Sequence, residues 1–425
     1  MNHSTGVILS APSSGAGKTT VTLGLLHALS RNGIQVRGAK SGPDYIDPRF
    51  HEAACGVPCL NLDAWAMSAE RVKALAAGDG LLLIEGAMGL FDGAPPNGKG
   101  ATADLARQLN LPVVLIVDAA RTAQSVAPLV NGFTSYDPDV KIAAVILNNV
   151  GSTRHETMLR HALAPLGIPI LGAIHRQNDL SHPSRHLGLV QAQEREDLSG
   201  YLGRAADTVA TAVDLEALIA LTAPVANAVT KNWFPPPAQR IAIARDAAFA
   251  FAYPHLLNDW KAAGAEISFF SPLADEAPQN SDLIFLPGGY PELYAGQLAA
   301  ASVFKSGMQN STQSGTLIYG ECGGYMTLGD GLIDAAGHHH EMLGLLRLET
   351  SFEKRKLHLG YRTLTAKTGP FVGRFTAHEF HYATTLNAEG TPLFHARDAE
   401  GNDLGKIGLM APNVSGSFAH MIDRR

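Results

Sequence analysis

The stretch GVILSAPSSGAGKTTVTLGLLHALSR constrains this chain most, because an apolar strand breaks into a glycine-rich loop that runs straight into a helix from Lys18 to Arg31. Glycines let such a loop fold around a phosphate with successive backbone N–H groups. The lysine then neutralises the β/γ-phosphates and the hydroxyl after it holds Mg²⁺. The expected ATP-binding residues are Ser14, Gly15, Gly17, Lys18, Thr19 and Thr20, with Thr19 also a metal ligand. The usual pattern opens with glycine five residues before Gly17, where this chain has Pro12, so the loop is a variant of the standard one.

Apolar runs and helical stretches go on alternating to about residue 190: IQVRGAK, LLLIEGA, LPVVLIVDAA, KIAAVILNNV and IPILGAI. This pattern predicts a parallel sheet covered by helices on both faces, with its ligand site at the carboxyl ends of the strands. Two acidic segments fall at such ends, KSGPDYIDPRF with Asp44 and Asp47, and IEGAMGLFDG with Glu85. Mg²⁺ keeps several waters and takes few protein oxygens, which makes Asp47 and Glu85 the preferred carboxylate pair. Asp44 is either a further ligand or the cap of its own turn. Asn148 and Asn149 end a strand, either as amides pairing with an adenine edge or as a plain asparagine turn. Asp92 reads as turn chemistry, and Cys55 and Cys59 in CGVPC lack zinc-site spacing and read as buried thiols.

Residues 191–238 read as an amphipathic, Ala-rich helical region ending in a linker at Pro235 to Pro237. They separate an ATP-binding synthetase domain, 1–190, from a second α/β domain, 239–425. In the second domain Cys322 sits in LIYGECGGYMTLG, an apolar strand followed by a nucleophile flanked by glycines and then a helix. Small neighbours permit the strained turn that exposes a nucleophile at a helix N-terminus and helps lower its pKa. A thiolate attacking an amide also needs a proton partner and donors for the oxyanion. Gly288 and Gly289 in FLPGGYPELY, together with Gly323, suit the oxyanion hole. His420 in GSFAHMID and the pair His378 and His381 in AHEFHY are the candidate histidines, and spacing alone does not choose between them.

A length of 425 residues exceeds one ordinary core, and 46% hydrophobic with 17% charged residues suits a soluble two-domain α/β enzyme. A net charge of -6 without a long Lys/Arg run gives no general reason to bind nucleic acid. Three cysteines, an odd and sparse set, point to a reducing compartment. No run approaches the ~20 apolar residues of a membrane span and no signal peptide is evident, so the expected location is cytoplasmic, away from membranes.

Together the motifs resemble class I, triad-type glutamine amidotransferases in the second domain and the dethiobiotin-synthetase-like branch of phosphate-loop enzymes in the first. Their order, APSSGAGKTT, KSGPDYIDP, EGAMGLFDG, LPGGYPELY, GECGGYM, HEFHY and GSFAH, resembles the cobyrinic and hydrogenobyrinic acid a,c-diamide synthase family of cobalamin biosynthesis. The resemblance implies an N-terminal phosphate-loop parallel sheet and a C-terminal class I amidotransferase sheet. It also implies Cys322 as nucleophile with His420 as its partner, and Tyr45, His378 and His381 near the synthetase substrate. ATP with Mg²⁺, glutamine and a corrin-ring polycarboxylate are the implied reactants, acyl phosphates the intermediates, and a homodimer the expected assembly. In the wider class a glutamate follows two positions after the histidine. Here that position is Ile422, so a Cys–His dyad is expected. Metal-free hydrogenobyrinic acid is the preferred ring. The alternatives are cobalt-containing cobyrinic acid and a regulatory phosphate-loop ATPase with a non-catalytic second domain.

Overall fold

The computed structural model describes residues 4–177, 180, 184–185, 188–189, 191–226, 228 and 234–425, and the chain divides into two units, Met1–Thr230 and Lys231–Arg425. In the first, each apolar run becomes a strand: β1 (Thr5–Ser10), β2 (Val36–Ser41), β3 (Leu60–Leu62), β4 (Leu81–Glu85), β5 (Val113–Asp118), β6 (Ile142–Val150) and β7 (Ile170–His175). They pair in parallel in the order β3-β2-β4-β1-β5-β6-β7, and Ala223–Pro224 pairs antiparallel with β1. Consecutive residues such as Val7, Ile8 and Leu9 are all buried, which requires cover on both faces and explains the uninterrupted apolar strands.

The register matters for chemistry. Leu9 of β1 and Lys40 of β2 both stand opposite Glu85 of β4, so three strands end in one row beneath the loop that leaves the central β1. Helix α1 (Lys18–Arg31) continues from that loop, and α2 (Asp47–Cys55) follows the turn after β2.

The helical region expected to lie between the domains is part of the first unit. Tyr201, Leu202, Ala205 and Val209 of the helix Leu198–Ala212 share a buried cluster with Val21, Leu25 and Leu29 of α1. Gly24 allows the close crossing, since a Cβ there would stand 2.5 Å from Val209 Cγ2 and 2.7 Å from the Ala205 carbonyl. Full burial of a Leu or Val contributes about 1.5–3 kcal/mol, so the amphipathic stripe gains more from packing than from exposure as a connector. Residues 227 and 229–233 of that expected region lie outside the described residues, whereas the linker prolines Pro235 to Pro237 lie within them.

The second unit contains a six-stranded sheet in the order Glu266–Phe270, Arg240–Ala244, Leu283–Leu286, Leu317–Glu321, Val414–Ser417 and Leu409–Met410, parallel except for the last pair. It also contains two further sheets. One is antiparallel, in the order Asp403–Ile407, Phe394–Arg397, His358–Ala366, Gly373–His381 and Ala419–Arg424. The other orders His339–Glu341, Gly331–Ile333, Arg347–Ser351 and Thr384–Glu389. His339 and His340 form part of a strand. After Ser417 the chain passes from the parallel sheet into the antiparallel one, carrying His420 back toward the strand end that bears Cys322.

Two candidate active sites

The loop between β1 and α1 is braced from β6. Asn148 Nδ2 donates to the Ala16 carbonyl at 2.9 Å and lies where a Cβ on Gly17 would come within 2.2 Å of it. Gly17 adopts φ 85°, a conformation glycine takes without steric cost. Ser14 and Gly15 are exposed on the loop, and Thr20 Oγ1 accepts from the Tyr201 hydroxyl at 3.3 Å. Lys18 Nζ folds back to donate to the Ser13 carbonyl at 3.3 Å and to the Met88 carbonyl. Burial lowers the Lys18 pKa against the raising effect of Glu85. Asn148 and Asn149 line a cavity with Gly17, Thr20, His175 and Thr208. Asn149, at φ 57°, is tied to Asp118 Oδ1 at 2.9 Å.

Thr19, Asp47 and Glu85 converge. The Thr19 hydroxyl is 2.7 Å from Glu85 Oε1 and 3.4 Å from Asp47 Oδ2. Between the carboxylates lies a residue the sequence reading missed, Lys40, whose Nζ is 2.7 Å from Glu85 Oε1 and also hydrogen-bonds Asp47. Burial opposes charge on Lys40, yet Asp47, Glu85 and Asp44 raise its pKa above the ordinary lysine range. Burial likewise pushes Glu85 up, but Lys40 and His51 hold its carboxyl well below the usual carboxylate range. His51, also missed, bonds Glu85 Oε2 through Nε2 at 2.6 Å, and its Nδ1 lies 3.4 Å from the buried Cys59 thiol. A lysine at the end of an apolar strand was the available signal, since a buried cation requires a buried partner. Asp44 caps its turn, its Oδ1 accepting from Ile46 N–H at 2.8 Å and Asp47 N–H at 3.1 Å. Burial and the neighbouring Asp47 push its pKa up to about 6. Tyr45, in the same turn, is buried.

In the second unit Cys322 takes φ 46° and ψ −104° between the strand Leu317–Glu321 and the short helix Gly323–Thr327. Such a conformation in a non-glycine residue stores strain, as a nucleophile elbow does. Its N–H donates to the Ser417 carbonyl at 2.9 Å and its thiol to the Phe380 carbonyl at 3.9 Å. The thiol does not have the lowered pKa expected of an elbow. Burial, then Glu292, push it above the ordinary range, and the Gly323 N–H opposes them. Thiolate formation at neutral pH therefore needs a base.

The turn Gly288–Gly289 meets both His420 and Gly323, the residue after Cys322. A Cβ on Gly288 would lie 2.1 Å from His420 Cε1, and one on Gly323 would lie 3.0 Å from Gly289 N. Among the described residues the Gly289 N–H has no backbone hydrogen-bond acceptor. His420 is fully buried, and burial with the neighbouring His378 and His381 lowers its pKa to about 3, so the ring is neutral at pH 7. His378 stands opposite His420 in the strand register. His381 stacks on Phe418 at 3.9 Å and bonds Glu379 at 3.0 Å. The histidine pair implied to serve the synthetase substrate thus lies beside His420. His358, Glu379 and His381 present donor atoms within 4.8 Å of one another, but Arg362, 2.8 Å from Glu379 Oε2, already places a cation on the carboxylate a metal would need.

A cysteine elbow beside a buried neutral histidine, and a phosphate loop facing paired carboxylates, define an amidotransferase joined to a nucleotide-binding domain. Residues 7–190 match the family described as the CobQ/CobB/MinD/ParA nucleotide binding domain, and residues 240–425 match the CobB/CobQ-like glutamine amidotransferase domain. The chain is 55% identical over 432 residues to hydrogenobyrinate a,c-diamide synthase from Brucella anthropi, covering 98% of each chain. It is 54% identical over 426 residues to that from Rhizobium meliloti, covering 98% of this chain and 99% of the relative. The chain belongs to the hydrogenobyrinate a,c-diamide synthase family.

Proposed function

We propose that this chain amidates the a and c acetate carboxylates of hydrogenobyrinic acid, using glutamine as nitrogen donor and ATP as activator. The observation that carries the reading is near-full-length identity to synthases of that name, in a chain where each half holds side chains suited to one half of the reaction. At the glutaminase centre, Cys322 sulfur attacks the side-chain amide of glutamine while its proton passes to His420. The Gly289 and Gly323 N–H groups stabilise the oxyanion, and the proton leaves with ammonia. Water then hydrolyses the glutamyl thioester. The positions of His378 and His381 favour roles at this centre.

At the synthetase centre a substrate carboxylate oxygen attacks the γ-phosphorus of ATP, Lys18 stabilises the charge that builds on the phosphoryl oxygens, and ADP departs. Ammonia displaces phosphate from the acyl phosphate to leave the amide. The donor set of Thr19 hydroxyl with Asp47 and Glu85 carboxylates fits Mg²⁺, a hard cation that takes oxygen ligands. When bound, the ion supplies charge neutralisation at the phosphates. Asn148 and Asn149 line a cavity suited to the nucleoside, and Tyr45 is assigned to the ring substrate.

The test supplies purified protein with ATP, Mg²⁺ and either ring, with glutamine or ammonia. Hydrogenobyrinic acid should become its diamide with both nitrogen sources, and label from ¹⁸O-carboxylate should appear in inorganic phosphate, one atom per amide. Turnover of cobyrinic acid alone would overturn the ring assignment, and label in AMP would overturn the acyl phosphate.

A further inference from the structure

A histidine that takes a proton from a thiol works best when its second ring nitrogen is held by an acceptor, which fixes the tautomer and stabilises the imidazolium. The position two residues after His420 offers no such acceptor side chain. Ile422 is buried, and its carbonyl accepts from His255 Nε2 at 2.8 Å. A different carboxylate reaches the ring from the strand that carries the nucleophile. Glu321 Oε2 lies 3.8 Å from His420 Nδ1, while Glu321 Oε1 accepts from the Met421 N–H at 3.1 Å and the Tyr319 hydroxyl at 3.4 Å.

The topology makes this meeting repeatable. Glu321 pairs in register with Ser417, and the chain then turns through Phe418 into Ala419–Arg424, returning His420 over the strand end it has just left. The bond from Met421 N–H anchors the glutamate to the residue next to the histidine. The other titratable groups whose charge acts on His420 come from the strand Gly373–His381 and are His378, His381 and Glu379. The Phe251 backbone also hydrogen-bonds the ring. Glu379 is already engaged, by Arg362 at 2.8 Å and His381 at 3.0 Å.

We propose that Glu321, the residue immediately before the nucleophile, is the positioning residue of the glutaminase centre, orienting His420 through Nδ1 and stabilising the imidazolium formed when the ring takes the Cys322 proton. The proposal rests on the glutaminase reading above. In the step concerned, the S–H bond breaks and its proton goes to Nε2 of His420. The sulfur electron pair forms the bond to the amide carbon, and the same proton later leaves on ammonia. Glu321 gains and loses no atom in the cycle. Burial raises its pKa to about 8, partly offset by the Met421 N–H, so the carboxylate form of the pair grows as pH rises through that value.

The readout is the rate at which 6-diazo-5-oxo-L-norleucine, a glutamine-analogue electrophile, alkylates Cys322 between pH 6 and 10, with glutamine hydrolysis and ammonia-dependent synthesis measured alongside. Glu321→Gln should slow alkylation and glutaminase kcat on the order of 10²-fold, the scale of a general-base contribution, with little change in KM. It should also remove the rise near pH 8, while ammonia-dependent synthesis persists and reports an intact fold. Glu321→Asp keeps the acid and should retain that rise at reduced rate, which settles the matter should the Gln variant not fold. Wild-type alkylation rate and pH profile in either folded variant would overturn the role of Glu321 alone. Failure of the electrophile to label Cys322 in the unaltered protein would overturn the glutaminase reading as well.

Discussion

Replacing Gly288 by alanine tests the geometry of the glutaminase centre with a single carbon. The added Cβ would stand 2.1 Å from His420 Cε1 and 2.9 Å from Nε2. Non-bonded carbons settle at about 3.5–4.0 Å, so ring and turn must separate by roughly 1.5 Å. Gly288 is not among the residues with positive φ, so the perturbation is steric and not one of backbone strain. The ring has little room to retreat, being fully buried and faced by His378. Overpacking of this kind costs about 1–3 kcal/mol of stability, and a 1 Å misplacement of a reacting group costs about 10²-fold in rate. Glutamine-dependent diamide synthesis in Gly288→Ala should therefore fall on the order of 10²-fold while ammonia-dependent synthesis stays near the unaltered rate. Measuring both on one preparation separates the centre from the fold. A variant that uses glutamine normally would refute the contact between this turn and a catalytic His420, and equal loss with both nitrogen sources would refute a separable glutaminase.

Lys40→Met leaves Asp47 and Glu85 without their shared cation. Breaking such a buried pair should cost about 3–5 kcal/mol, and Mg²⁺ alone should raise the melting temperature of the variant more than that of the unaltered protein. A smaller Mg²⁺ response in the variant would exclude these carboxylates as the metal site. Glu292 has its pKa raised by burial to about 8, and above that pH its charge raises the Cys322 thiol. Glu292→Gln should therefore shift the pH dependence of iodoacetamide alkylation of Cys322 downward, with the difference appearing only above about pH 8. Gly24→Ala gains about 1 kcal/mol in helix propensity but meets Val209 and the Ala205 carbonyl, so urea unfolding should show a net loss, the overpacking term of about 1–3 kcal/mol winning.

The strands of the first unit were legible because a parallel strand buried on both faces leaves an unbroken apolar run, as LLLIE and VVLIV do. The phosphate loop and the cysteine elbow were legible because each depends on small residues at fixed local spacing. Contacts set by pairing between distant strands were not. Lys40 meets Glu85 across 45 residues because β2 and β4 are adjacent and in register, which no local pattern encodes. Glu321 reaches His420 only because the chain changes sheets after Ser417. The two further sheets of the second unit were missed for another reason. Strands such as HLGYRTLTA mix charged, glycine and half-exposed residues and lack a clean alternation. The helix Leu198–Ala212 was read as helical but assigned to a connector, since an apolar stripe does not name the surface that covers it.

The raised pKa of Cys322 also bears on how the protein ages. Peroxide and disulfide exchange act on thiolates, and susceptibility follows thiolate character and exposure. Cys322 is 3% exposed and held as a neutral thiol at neutral pH by burial. A low-pKa elbow would stand as an oxidisable anion between turnovers. This one holds its proton until a base draws it off, so resting enzyme should lose little activity to dilute hydrogen peroxide at neutral pH, and the loss should grow steeply as pH rises. Resistance to oxidants and dependence on His420 for activation are then two results of the same burial.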